Sequence, residues 1–106
     1  MKASAEPPTP GRALAELGEA FTDTVAVIRS QPDSRQAFQA ATDLVALLRT
    51  ATKDAGQLRA GLALRIAEDE KLSLAGLADR LSVSRGRAQQ LTEAAKAVRA
   101  KGEEPR

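Results

Sequence analysis

Apolar positions along the chain fall into blocks spaced by three and four residues, the repeat of one helical face. The first block runs through Leu14, Leu17, Phe21, Val25 and Ile28 and predicts a helix from Arg12 to about Ser30. Pro32 interrupts it, and Asp33 or Ser34 can cap a new start by accepting bonds from first-turn N–H groups. A second block follows at Phe38, Ala41, Leu44, Val45, Leu47, Leu48 and Ala51, a stripe wider than one neighbouring helix needs. The short link through Gln31 and Pro32 makes the two an antiparallel hairpin. Around Thr50–Gly56 helix propensity falls without a proline to enforce a stop, so the second helix either breaks there or runs on. Leu58, Leu62 and Ile66 define a third helix ending in Glu68, Asp69 and Glu70.

Two shorter blocks complete the pattern. Ser73 can cap a helix carrying Leu74, Leu77, Ala78 and Leu81, and Ser84 can cap one from Arg85 with Ala88, Leu91 and Ala95 inside. A strand-like alternation of apolar and polar residues is missing throughout. The fold class is therefore all-α: an N-terminal helical hairpin over 12–53, then a tri-helical unit over 57–101 whose supporting helix is 57–70. Pro7, Pro8, Pro10 and Gly11 mark residues 1–11 as a disordered tail, and 102–106 form a second tail.

Composition narrows the chemistry. The chain of 106 residues suits one domain or a compact unit with tails, and its only aromatics are Phe21 and Phe38, so Leu, Val, Ile and Ala must build the core. Without Cys or His there are no disulfides, Cys/His zinc sites, thiol nucleophiles or near-neutral proton shuttles. With no P-loop and no G-x-S-x-G either, an enzyme is not expected, nor a cofactor or a metal. The Glu68–Glu70 run is read as a solvated helix end, because adjacent helical residues diverge. No ~20-residue apolar span and no signal-like N-terminus are present, which predicts a cytoplasmic protein without a membrane partner. The net charge of +2 hides an asymmetry: residues 1–70 hold eight basic and ten acidic side chains, residues 71–106 eight and four. The basic end suits a polyanion.

Within that end, "LSVSRGRAQQL", residues 81–91, groups serines, arginines, a glycine and glutamines where the last helix begins. With Leu77 and Leu81 in the first short helix, Ala78 at the helix crossing, Val83 in the turn, and Ala88 and Leu91 in the second, the segment from Leu74 to about Glu93 resembles the helix-turn-helix of bacterial transcription regulators. It is similar also to the promoter-reading C-terminal region of sigma factors. Ser82 departs from the pattern, since many members have Gly there for a left-handed backbone. A Ser costs some strain.

The resemblance implies that the second helix lies in the major groove of double-stranded DNA. Gln89 and Gln90 then suit adenine N6 and N7, while Arg85 and Arg87 each suit guanine O6 and N7 or a phosphate, with Arg85 favoured for the base as the earlier in the helix. Ser84 and the first-turn amides suit a second phosphate. Gly86 gives up about 1 kcal/mol of helix propensity and permits close approach of the backbone. Glu93, Ser73 and Lys96 complete the expected DNA-binding set, with Arg80, Arg99 and Lys101 as weaker phosphate candidates. RNA is disfavoured, because both phenylalanines are assigned to apolar helix faces. These readings add up to a sequence-specific, nucleoid-associated bacterial regulator. It would be homodimeric through the hairpin, with Leu44, Leu47 and Leu48 in the interface, and RNA polymerase would be a further partner. The alternative is a helical adaptor acting on RNA polymerase or on a DNA-bound protein.

Overall fold

The computed structural model describes residues 7–102. Four helices make up its regular structure: α1 (Pro10–Arg29), α2 (Ser34–Asp69), α3 (Leu74–Leu81) and α4 (Arg85–Ala100). The all-α class holds, and among the described residues no helix is long and apolar enough to cross a membrane.

Helix α1 starts earlier than the proline-rich composition suggests. Thr9 is its N-cap, its Oγ1 accepting from the Arg12 N–H at 3.2 Å, and Pro10 takes the first helical position, where its missing N–H costs nothing. The expected tail of residues 1–11 thus gives way to helix at Pro10 and Gly11, while residues 1–6 and 103–106 lie outside the described part. Asp33 caps α2 by accepting from the Arg35 N–H at 2.9 Å. From there α2 runs unbroken to Asp69. The expected boundary between 53 and 57 therefore falls inside one helix, and the 57–70 helix is its C-terminal part. A Cβ built on Gly56 meets nothing within 4 Å, so this glycine answers no packing demand, and its propensity cost of about 1 kcal/mol is too small to break a long helix.

The chain divides after Ala46 into two compact units. In the first, no residue of α1 is buried. Val25, Ile28, Ala37, Ala40, Ala41 and Leu44 are half-buried, while Leu14, Leu17, Phe21 and Phe38 are open, Phe38 by 74%. Both phenylalanines, expected on apolar helix faces with no exposed aromatic left for a base, are exposed instead: a unit with two helical segments has too few neighbours to cover a stripe this wide.

The second unit has a core. Ala60, Ala63 and Leu64 of α2 pack with Leu91 and Ala95 of α4, and Leu77, Ala78 and Ala88 pack with Ile66, Ala67, Leu72, Leu74, Leu81 and Val83. Leu77 is 1% exposed and Ala88 fully buried. No buried side-chain polar atom among the described residues lacks a partner.

Both corners of this unit follow one rule. At the end of α2 the Leu72 N–H reaches the Ala67 carbonyl at 2.9 Å and the Lys71 N–H the Glu68 carbonyl at 3.4 Å, with Lys71 at φ 54°. At the end of α3 the Val83 N–H reaches the Ala78 carbonyl at 3.0 Å and the Ser82 N–H the Asp79 carbonyl at 3.2 Å, with Ser82 at φ 58° and ψ 45°. Each is a Schellman closure whose left-handed residue is followed by an apolar one that packs inward. Leu72 and Val83 are those residues, and both belong to the core.

Candidate nucleic-acid interface

The α3–turn–α4 pair is built from small residues. Ala78 and Ala88 are buried together with Leu77, so the two helices approach closely where a larger side chain would hold them apart. The turn is three residues, Ser82 to Ser84, between Leu81 and Arg85. Ser73 caps α3, its Oγ accepting from the Gly76 N–H at 3.0 Å, and Ser84 caps α4, its Oγ accepting from the Arg87 N–H at 3.0 Å. The Ser84 hydroxyl proton is still available to donate, at the positive end of the α4 dipole.

Ala88, Leu91 and Ala95 turn one face of α4 inward. At about 100° per residue the opposite face carries Gly86, Gln89, Gln90 and Glu93, all exposed. Arg85 and Lys96, also exposed, flank it on one side; Arg87, half-buried, flanks it on the other. Two hydrogen bonds order the face. Gln89 donates from Nε2 to Glu93 Oε2 at 3.0 Å, and Arg87 donates from Nη1 to Gln90 Oε1 at 3.5 Å, the long end of the range.

Ser73 and Lys96 line one shallow depression of about 330 Å³ with Glu68 and Thr92. Thr92, which no sequence signal singles out, sits seven residues after Arg85 and so on the same strip of α4. Its hydroxyl donates to the Gln89 carbonyl at 3.0 Å. A Cβ added at Gly86 would meet only the Ser84 Oγ, at 4.0 Å, so nothing within the fold demands glycine.

Two of the weaker phosphate candidates are engaged elsewhere. Arg99 donates to both carboxylate oxygens of Glu68, at 3.0 and 3.4 Å, and Arg80 pairs with Glu70. The Glu68–Glu70 run is therefore more than a solvated end: two of its carboxylates tie α2 to α4 and to α3. The partners lie 31 and 10 residues away, beyond the reach of local pattern. The hydrogen bond from Arg99, opposed by desolvation and aided by the charges of Arg99 and Lys96, holds the Glu68 carboxyl below the usual range. Among the described residues no group of three or more His, Cys, Asp or Glu side chains is placed to hold a metal ion.

An open apolar groove of about 400 Å³ lies elsewhere in the same unit, lined by Leu58, Leu62 and Ile66 of α2, Leu81 and Val83 at the turn, and Leu91 of α4. No protein-family model, curated protein or solved structure matches the chain.

Proposed function

We propose that the protein is a sequence-specific double-stranded DNA-binding regulator that reads the major groove with α4, acting as a homodimer. One observation carries the reading: the outer face of α4 concentrates base- and phosphate-recognising side chains that the fold itself does not use. Gly86, Gln89 and Gln90 are exposed, and none of them contributes to either core cluster. Arg85, exposed in the first turn, carries the guanidinium that suits guanine O6 and N7, and Gln89 and Gln90 offer amides for adenine. Arg87, Ser84, Ser73 and Lys96 lie at the margins, where phosphates run past an inserted helix. Self-association rests on the open apolar residues of the first unit.

The test is a salt titration on duplexes. Wild-type protein is expected to prefer some duplexes over random ones and to lose affinity along a straight log–log salt line. Gln89→Ala or Gln90→Ala should cost roughly 1–3 kcal/mol on the preferred site and little on random DNA. Equal loss on both would remove the glutamines from the reading role. The adaptor alternative draws on the apolar groove, a surface suited to a partner's amphipathic helix. An adaptor of that kind shows neither duplex preference nor a steep salt slope.

A further inference from the structure

We infer that Glu93 is a specificity-determining residue of the α4 face, accepting a hydrogen bond from the N4 amino group of a cytosine and penalising duplexes that offer no donor at that place. The inference rests on the DNA-reading role proposed above. Glu93 is the one acidic residue in α4, among the cations Arg85, Arg87, Lys96 and Arg99. It is exposed and lies on the outer face, opposite Ala88, Leu91 and Ala95. Among the described residues it forms no ion pair with Arg85, Arg87 or Lys96. Its neighbour is Gln89, whose Nε2 donates to Oε2 at 3.0 Å.

A carboxylate in the middle of a surface meant for a polyanion is repelled by every phosphate nearby. It serves recognition only where a donor faces it. In the major groove the base-edge donors are cytosine N4 and adenine N6, and a carboxylate, which only accepts, matches cytosine, whereas adenine also presents the N7 acceptor. The bond from Gln89 leaves Glu93 Oε1 open to such a donor. It also leaves Gln89 one amide hydrogen and its carbonyl oxygen, the pair that adenine N7 and N6 require. Gln89 and Glu93 thus form a coupled reader, in which the glutamine also fixes the carboxylate's rotamer.

The experiment selects duplexes from a random pool with the full chain, as wild type, Glu93→Ala and Glu93→Gln. Wild type is expected to enrich a site with a fixed C·G pair for each α4, and changing that pair should weaken it about 10- to 100-fold. Glu93→Ala should leave that position unconstrained and loosen the neighbouring position read by Gln89, with the rest of the site intact, and should bind random duplexes more tightly than wild type. Glu93→Gln should move the preference from cytosine towards adenine. An unchanged C·G constraint in Glu93→Ala, or weaker binding of that variant to random DNA, overturns the role of Glu93 while leaving the reading face standing. A wild type that enriches no sequence overturns both.

Discussion

Ser82 and Gly86, four residues apart, make opposite compromises with their backbone. Ser82 is held left-handed at φ 58°, a conformation that costs an L-residue roughly 1–2 kcal/mol and glycine little. Ser82→Gly should therefore stabilise the protein by up to about 1 kcal/mol in urea unfolding, with DNA binding unchanged. Gly86 sits in the first turn of α4, where a Cβ would meet nothing closer than the Ser84 Oγ at 4.0 Å. Gly86→Ala should also stabilise, by up to about 1 kcal/mol, but weaken binding to all duplexes by obstructing the backbone's approach. A Gly86→Ala protein that is more stable and binds as before would show that the glycine has no role at DNA. Residue-level signals of this kind are legible where the chemistry is local. Ser73, Ser84 and Asp33 cap as their short acceptor side chains predict. Lys71 at φ 54° is not legible, because lysine carries no mark of the left-handed region. Pro10 misleads, since a proline ends one helix and begins another with equal ease.

At the scale of elements, the short helices of the second unit are readable and the extent of α2 is not. Leu77, Ala78, Ala88 and Leu91 all face inward as their spacing requires. The run Thr50–Gly56 lowers propensity without supplying a stop, and the stop comes only at Lys71, where the Leu72 N–H closes on Ala67. What fastens that end is non-local: Glu68 on Arg99 and Glu70 on Arg80. Because the Arg99 hydrogen bond holds the Glu68 carboxyl below its ordinary range, the folded state binds this proton less readily than the unfolded chain. The stabilisation is then present above the ordinary carboxylate value of the unfolded chain and lost as pH falls through the lower folded value. Thermal melts of wild type and Glu68→Gln should differ in favour of wild type near neutral pH and converge in acid. The pair is exposed, so the gap should be small and should shrink with salt. A gap that stays constant down to pH ~3 would assign the difference to packing or to the amide instead of the charge.

At the scale of the whole molecule, the basic charge gathers in the second unit, while open apolar residues occur in both units and, among the described residues, the first has no buried core beneath them. The second unit buries a core of its own around Leu64, Leu77 and Leu91, with the basic C-terminal segment in the same unit. Among its described residues the first buries nothing, and Leu14, Leu17, Phe21 and Phe38 stand open. Sequence pattern locates those faces correctly but does not say what covers them, since periodicity gives the direction of a stripe and not its partner. Apolar surface of this extent in a unit with no buried residue among those described favours association, and a second copy supplies an identical stripe. Two copies would also present two α4 helices, which a pair of half-sites requires. Sedimentation should therefore show a dimer at tens of micromolar. Leu17→Glu with Phe38→Glu should give a monomer at the same concentration, because two charges would have to be buried on each chain. The monomer should keep the core around Leu77 and Ala88, and so its affinity for a single half-site, while losing the added affinity for a paired site that comes from tethering two readers. A wild-type monomer at that concentration, or a double variant that still dimerises, would place the interface elsewhere and leave the open face of α1 and α2 to another partner.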